Sequence, residues 1–325
     1  MEHSADIKFQ KPFLKWVGGK TQIIKDIISK IPNEINNYHE LFLGGGSVLL
    51  AVLSLQKQNK IIIKNKIYAY DYNKGLINTF NQIKTNRDAV IYELYKLKNE
   101  FINIKKNIEI EKSDNTEQDK DTKPKKTKKT KPKDINENTY KNTREHYYYW
   151  IRDLYNKETK DNALSCAYFI FLNKTGYRGM YREGKNGYNI PYGLKDKKTI
   201  PSIFSEEEIT TVSELIKDVE FKEMHFKDSI KLVSEGDFVY LDPPYVPIDD
   251  NSFVEYNNDS FNLKTHELLF DEIKKLKDIK FLMSNAKVDL VIDNFKEYNC
   301  DNILARRAIH SKKPQTMTTE VIIYN

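Results

Sequence analysis

A continuous apolar run, Phe238–Leu241, is followed directly by Asp242-Pro243-Pro244-Tyr245. A short apolar run that ends at a turn signal is typical of a strand buried on both faces of a sheet. Two successive prolines restrict the backbone and remove two N–H donors, so the strand must end in a stiff corner. The corner carries a carboxylate, a rigid carbonyl at Pro243 and the ring of Tyr245. It suits the binding of a planar amine, although an ordinary strand-ending turn explains the four residues equally well.

Alternating strand and helix signals surround this corner. Apolar residues recur at helical spacing from Ile23 to Ile31. Strands that alternate with helices predict an α/β fold with a mainly parallel, doubly wound sheet. The strands are expected at residues 40–43, 67–70, 238–241, 280–284 and 319–324, and further helices at 47–55, 265–277 and 287–296.

Residues 104–139 interrupt this pattern, because they are rich in Lys, Asp, Asn, Thr and Glu and nearly lack apolar residues after Ile110. The composition predicts a disordered, lysine-rich insertion. It is either a solvated linker or a basic arm that adds salt-sensitive affinity for DNA. The chain then divides into an N-terminal part of the α/β domain (1–103), the insertion (104–139), a small separate domain (140–205) and the C-terminal part of the α/β domain (206–325).

Bulk properties limit the class of protein. The whole chain carries a net charge of +6, but residues 120–133 alone carry +7, so the rest sums to −1 and global charge does not indicate a nucleic-acid partner. Cys166 and Cys300 are too few for a disulfide framework or a structural zinc site. No membrane span or secretory signal is recognised. An intracellular protein is expected, in the cytoplasm or, in a eukaryotic host, in the nucleus or a viral factory.

Two further segments carry residues suited to binding a nucleoside. Leu41–Ser47 combines a strand end, three glycines and a helix start, and such a turn brings backbone amides close to a ligand. The next strand ends at Asp71, and an acidic residue about 20 residues after the glycines commonly binds ribose hydroxyls. The segment Phe13–Lys20 adds an aromatic wall at Trp16 and a cation, Lys20, for a carboxylate.

Together, Phe13–Lys20, Phe42–Ser47, the strand end at Asp71 and Asp242–Tyr245 resemble motifs of the Dam-type, D12 class adenine-N6 DNA methyltransferases. Their order is similar to that of the alpha group of this family, and the resemblance covers nearly the whole chain apart from the insertion. It implies a Rossmann-like methyltransferase fold with an inserted, mainly helical target-recognition domain that carries a β-hairpin. It also implies S-adenosylmethionine as cofactor, no metal, and double-stranded DNA as substrate.

The resemblance implies roles for individual positions. Asp242 and the Pro243 carbonyl would accept the two N–H groups of adenine N6, and Tyr245 would stack on an adenine flipped out of the duplex. These three residues would be catalytic. The cofactor-binding residues would be Trp16, Lys20, Phe42, Gly44, Gly46, Asp71, Asp228 and Asp242, and the DNA-binding residues would be Tyr177, Arg178, Met180, Arg182 and Pro191.

The implied recognition hairpin lies within residues 173–193. Arg182 matches an arginine that reads guanine through two parallel donors, and Tyr177 matches an aromatic residue that wedges beside the flipped base. Arg178 departs from the family, in which asparagine is usual at this position. The resemblance therefore implies a GATC-like site that contains G-A, and it leaves the full recognition sequence open.

Other activities stay compatible with these residues. The same acidic turn could serve N4 of cytosine or adenine in RNA, although aspartate in its first position favours adenine in this family. A DNA-binding regulator without catalysis is another alternative, against which the intact motifs count. A cognate restriction endonuclease would be the partner if the protein belongs to a restriction-modification system.

Overall fold

The computed structural model describes residues 8–114, 135–194, 202–247, 261–306 and 317–325. The chain forms two compact units. The first comprises Met1–Pro12, Val17–Ile77 and Val212–Asn325, and the second comprises Phe13–Trp16 and Asn78–Thr211. No helix in the described ranges has both the length and the apolar character needed to cross a membrane.

The helices and strands follow one another along the chain as the alternating pattern predicts. The strands in the described residues are β1 (Glu34–Ile35), β2 (Tyr38–Glu40), β3 (Ile62–Ile63), β4 (Ile67–Asp71), β5 (Glu183–Gly184), β6 (Gly187–Tyr188), β7 (Val219–Glu223), β8 (Phe238–Leu241), β9 (Lys280–Ala286), β10 (Asn299–Arg306) and β11 (Met317–Tyr324). The α-helices there are α1 (Ile24–Ile28), α2 (Ser47–Lys57), α3 (Lys74–Thr85), α4 (Arg87–Asp114), α5 (Arg144–Lys157), α6 (Ala163–Thr175), α7 (Glu206–Leu215), α8 (Phe226–Ser229), α9 (Leu263–Lys274) and α10 (Asp289–Asn294).

Seven strands of the first unit form one sheet with the order β10-β11-β9-β8-β2-β4-β7. Neighbours from β9 to β7 pair in parallel, whereas β11 pairs antiparallel with both β9 and β10. Parallel neighbours need long crossover connections, which the helices between these strands supply. The mainly parallel sheet confirms the predicted α/β class.

Strand β8 lies inside this sheet, and all four of its residues are buried. Phe238 is in register with Tyr38 of β2 and with Lys280 of β9. Because both faces of the strand are covered, its sequence is continuously apolar. Asp242 follows the carboxyl end of β8, which is the end at which ligands bind in open parallel sheets. The core that includes β8 contains Leu41, Val239, Leu241, Phe270, Phe281, Met283, Val321 and Ile323.

One predicted strand is shifted. The strand expected at 40–43 is β2, which ends at Glu40. Beyond that residue the backbone forms hydrogen bonds with two different strands. The N–H of Leu41 donates to the carbonyl of Tyr240 in β8, and the N–H of Leu43 donates to the carbonyl of Tyr70 in β4. Residues 41–43 therefore connect the strand to the glycine turn, which begins at Gly44.

The second unit is built on helices with their own core. Thr143 caps α5 by accepting a hydrogen bond from the N–H of His146, and Asn162 caps α6 in the same way. The rings of Phe101, Tyr147 and Phe171 pack edge-on or tilted among α4, α5 and α6. The unit begins before residue 140 because α4 packs against α6. The functional domain boundaries at 103/104, 139/140 and 205/206 stay a prediction.

Helix α4 extends from Arg87 to Asp114, so helix is present where the insertion is expected to begin. Good helix formers such as Glu and Lys continue across residue 104, which allows the helix to propagate there. Residues 115–134 of the predicted insertion lie outside the described residues. The antiparallel pair β5 and β6 forms the hairpin expected in residues 173–193.

Candidate active site

Lys20, Asp242 and Tyr245 meet at the carboxyl end of β8. Nζ of Lys20 lies 2.7 Å from each of the two carboxylate oxygens of Asp242. The same ammonium donates to the carbonyl of Gly18, 2.6 Å away, and lies 4.8 Å from the centre of the Tyr245 ring. Lys20 is 4% exposed and Asp242 is 20% exposed. The stiff proline corner thus holds its carboxylate beside one buried cation.

The carboxylate of Asp242 has accepting capacity left. The ammonium of Lys20 donates a directed hydrogen bond to Oδ2, and among the described residues none donates a well-directed one to Oδ1. Burial raises the pKa of Asp242, while the charge and hydrogen bond of Lys20 oppose that rise. The site therefore offers an acceptor whose affinity for a proton exceeds that of a solvent-exposed aspartate.

The glycine turn connects β2 to α2. Gly44 and Gly46 have φ angles of +49° and +71°, which a residue with a Cβ rarely adopts. The N–H of Gly44 donates to Oδ2 of Asp71 over 3.0 Å, and the N–H of Asn73 donates to Oδ1 over 2.9 Å. Burial raises the pKa of Asp71, and these backbone donors oppose the rise. The turn and the acidic strand end, which the sequence pairs as a nucleoside-binding signature, are thus joined by a hydrogen bond.

Phe42 and Asp228 are two other predicted cofactor-binding residues of the first unit. The ring of Phe42 packs 5.8 Å from Phe226 and 5.9 Å from Phe261. Asp228, in the short helix α8, is 64% exposed and forms an ion pair with Lys231 over 3.2 Å. The structure therefore links α8 to the glycine turn through aromatic packing, and the carboxylate of Asp228 is engaged with a neighbouring lysine.

Glu40, which the sequence analysis treats only as part of a strand, is a buried carboxyl next to this site. It is 2% exposed and accepts a hydrogen bond from the hydroxyl of Tyr38 over 2.6 Å. Burial raises the pKa of Glu40 to about 8, with smaller contributions from Asp242 and Asp71. A charged residue directly before the apolar run Leu41–Leu43 was the available signal, because glutamate is rarely buried without a partner.

Replacing Glu40 with glutamine is expected to stabilise the fold increasingly between about pH 6 and about pH 8. The folded-state pKa of about 8 lies above the ordinary value of 4.5. Stability from such a carboxyl is fully present at low pH and falls by up to about 1.4 kcal/mol per pH unit as pH rises toward the folded-state pKa. Glutamine does not titrate, so the variant should gain roughly 2 kcal/mol relative to the wild type over this interval.

Urea unfolding of both proteins at the two pH values measures this difference. The exposed Glu214 offers a matched control, because Glu214→Gln removes the same group from solvent-exposed surface. Equal pH dependence of the wild type and Glu40→Gln would contradict a buried, neutral Glu40.

Two other side chains at the site were missed by the sequence analysis. Oδ1 of Asn285 accepts the N–H groups of Val246 and Ala286, and its amide nitrogen is buried without a hydrogen-bond partner among the described residues. Oε2 of Glu320 accepts the hydroxyl of Tyr245 over 2.8 Å. Both lie in predicted or neighbouring strand segments, and strand patterning gives a polar residue no specific role.

In the second unit, Trp16 lies in an aromatic stack. Its ring lies 6.3 Å from Phe169 and 6.0 Å from Tyr181, each at an interplanar angle of 25°. The neighbouring N–H of Lys15 donates to the side chain of Asn173 over 2.8 Å, and Asn173 donates back to the carbonyl of Lys15. Trp16 is thus held within the helical unit, where its ring forms one cluster with the rings of Phe169 and Tyr181.

The predicted DNA-binding residues of the second unit cluster around one turn and one hairpin. Arg178 has a φ of +56° and its guanidinium lies 5.2 Å from the Tyr177 ring, which is 43% exposed. Asparagine, the residue that the resemblance implies at this position, tolerates this left-handed backbone better than arginine does. Hydrogen bonds hold the other predicted DNA-binding residues. The N–H of Tyr177 donates to the carbonyl of Pro191, and the hydroxyl of Tyr188 donates to the carbonyl of Met180. Nε of Arg182 donates to the side-chain oxygen of Asn189.

Comparison with known proteins decides the family. The model of the D12 class N6 adenine-specific DNA methyltransferases matches residues 16–312. The chain belongs to this family. It is therefore an adenine-specific DNA methyltransferase, which transfers a methyl group from S-adenosylmethionine to N6 of adenine in DNA. The resemblance inferred from four motifs is confirmed.

Relatives of this D12 methyltransferase cover nearly its whole length. The Type II methyltransferase M.MjaIII of Methanocaldococcus jannaschii is 32% identical and aligns over 97% of this chain and 99% of its own. The Type II methyltransferase M1.LlaDCHI of Lactococcus lactis subsp. cremoris is 27% identical over 97% of this chain and 95% of its own. The DNA adenine methylase of Haemophilus influenzae is 27% identical over 94% of this chain and 89% of its own.

Proposed function

We propose that Asp242 and the carbonyl of Pro243 bind the N6 amine of an adenine that has left the duplex, and that Tyr245 stacks on its ring. The observation that carries this proposal is the Asp242 carboxylate, whose buried Oδ1 accepts no well-directed hydrogen bond from the described residues. The reacting nitrogen is inaccessible inside the base stack, so the base must be extruded. A rigid acceptor pair beside an aromatic face is suited to hold it.

These residues act by alignment. Hydrogen bonds from the amine to Asp242 and Pro243 draw electron density toward nitrogen and orient its lone pair. S-adenosylmethionine would supply the methyl group as an electrophilic sulfonium, whose S–CH3 bond would break with its electron pair left on a neutral thioether. The nitrogen gains positive charge as the new bond forms, and Asp242 stabilises that charge and then accepts the proton that nitrogen releases. Burial, which raises the pKa of Asp242, suits it to this proton transfer. The scheme needs no metal.

The cofactor-binding residues fit S-adenosylmethionine by their chemistry. Asp71 retains free lone pairs for ribose hydroxyls although both of its oxygens already accept backbone N–H groups. Lys20 supplies a cation for the methionine carboxylate, and Gly44 and Gly46 leave room for close approach to the backbone. We assign to the same site the remaining predicted residues of the first unit, which are Phe42 and Asp228, and the role of Trp16 in cofactor binding stays a prediction from the sequence.

We further propose that Tyr177, Arg178, Met180, Arg182 and Pro191 contact the DNA and that the recognised site contains G-A, as in GATC. The arginine at position 182 is suited to O6 and N7 of guanine. Arg178 replaces the usual asparagine, so the bases read next to the adenine are the part of the site most open to variation. The names of two relatives suggest a type II restriction-modification system with a cognate endonuclease.

Methylation of mixed-sequence duplex DNA, followed by sequencing that detects modified bases, tests the proposed function. We expect N6-methyladenine in one short motif that contains G-A, and none with Asp242→Ala. Modified cytosine or modification of RNA alone would overturn the assigned substrate. Modified adenine in a motif without G-A would overturn only the recognition proposal. Protection of the modified DNA from endonucleases in a host lysate tests for the cognate partner.

A further inference from the structure

The ring of Tyr245 is held by a carboxylate that enters from a distant strand. Its hydroxyl donates to Oε2 of Glu320, 75 residues later in the chain, over 2.8 Å. Glu320 lies in β11, and its backbone is in register with Ala286 of β9 and Ile303 of β10. A strand paired on both sides moves little, so Glu320 is a fixed anchor for the hydroxyl.

Strand β9, which pairs with β11, supports the end of the proline corner that follows Tyr245. The N–H of Val246 donates to Oδ1 of Asn285 over 3.3 Å. Asn285 has no exposed surface, and its Oδ1 also accepts the N–H of Ala286 over 2.8 Å. Tyr245 therefore lies between a backbone contact at the next residue and a side-chain contact at its own hydroxyl.

The face of the Tyr245 ring is the third fixed element. The ammonium of Lys20 lies 4.8 Å from the ring centre, which favours one position of the ring face. Burial and the nearby carboxylates raise the pKa of Tyr245 well above its ordinary value. The phenol therefore stays protonated and donates to Glu320 at every pH used in a methylation assay.

We propose that Glu320 is a positioning residue for methyl transfer, which acts by fixing the Tyr245 ring in the orientation that stacks on the target adenine. This inference rests on the proposed role of Tyr245. A phenol that donates to a carboxylate forms a charge-assisted hydrogen bond, which is stronger and more restrictive than a neutral one. Without it, the ring can rotate away from the position that aligns the adenine amine with Asp242 and Pro243.

The charge of Glu320 has an effect separate from its hydrogen bond. This carboxylate contributes to the raised pKa of Asp242. Removing only the charge should therefore make Asp242 easier to ionise, whereas removing the acceptor releases Tyr245. Glu320→Gln retains an accepting oxygen without charge, and Glu320→Leu removes both, so the pair separates the two effects.

The test is a double-mutant cycle with methyl transfer to duplex DNA as the readout. We expect Glu320→Leu and Tyr245→Phe each to lower kcat about tenfold, equal to about 1.4 kcal/mol, with KM for S-adenosylmethionine unchanged. The double variant should be no slower than either single variant, because both changes remove one hydrogen bond. Glu320→Gln should recover most of the rate. Glu297→Leu, which removes an exposed glutamate, should match the wild type.

Additive losses in the double variant, or equal losses in Glu320→Gln and Glu320→Leu, would overturn the positioning role. Urea unfolding of each variant identifies a loss of activity that comes from a loss of stability. Tyr245→Phe keeps the aromatic ring and leaves Glu320 in place, so it removes the same hydrogen bond from the tyrosine side. Failure of the proposed function is a different result, because the wild-type protein would then transfer no methyl group to adenine.

Discussion

Asp242→Asn is expected to lower the rate of methyl transfer by about 10³-fold, as loss of a general base or of a transition-state contact typically does. The amide keeps the shape of the carboxylate, but it has one accepting oxygen instead of two and carries no charge. It can neither stabilise the positive nitrogen fully nor accept its proton. Single-turnover transfer of a labelled methyl group to duplex DNA measures the chemical step without a contribution from product release.

The variant needs a test of folding, because Asp242→Asn leaves the buried ammonium of Lys20 without its counter-charge. Urea unfolding and affinity for S-adenosylmethionine measure that effect separately from turnover. Asp218→Asn, which changes an exposed aspartate, is the matched control and should transfer at the wild-type rate. A folded Asp242→Asn protein with a near-normal rate would refute the assigned role of Asp242.

The central elements of the fold could be predicted because their burial appears in the local sequence. Strand β8 is a continuous apolar run, and its predicted bounds are correct. The edge strands β7 and β10 were missed. Edge strands carry polar and charged residues that discourage pairing with other chains, and β7 contains Glu220 and Lys222. In β7 the apolar Val219 and Phe221 alternate with charged residues, which was the available signal of a half-buried strand.

The chemistry of the site could be predicted at the level of motifs and not of contacts. Aspartate, proline and tyrosine are adjacent in the sequence, so their meeting requires only a turn. The partnership of Lys20 with Asp242 joins residues 222 positions apart, and it depends on the strand order of the sheet. Glu40 and Glu320 were missed for the same reason, because both depend on tertiary structure. Burial in the folded protein raises the pKa of Glu40. Glu320 meets its partner, Tyr245, only when the chain is folded.

The contact between Lys20 and Asp242 links the predicted cofactor residue to the predicted catalytic residue. An opposite charge within hydrogen-bond distance lowers the pKa of a carboxyl, typically by 1–3 units. Lys20 thus counteracts the burial that raises the pKa of Asp242. If the ionised form of Asp242 holds the target amine, Lys20 keeps the enzyme active near neutral pH as well as binding the methionine carboxylate.

Lys20→Met is accordingly expected to lower transfer at about pH 7 by about 10²-fold and to move the pH–rate profile toward alkaline pH. Activity rises with pH as Asp242 loses its proton, so a higher pKa delays that rise, and part of the rate should return between neutral and alkaline pH. Rates measured across this range with saturating S-adenosylmethionine separate the effect from weaker cofactor binding. Lys20→Arg keeps the positive charge and should retain the wild-type midpoint even if its rate is lower. An unchanged midpoint in Lys20→Met would show that Lys20 does not set the ionisation of Asp242.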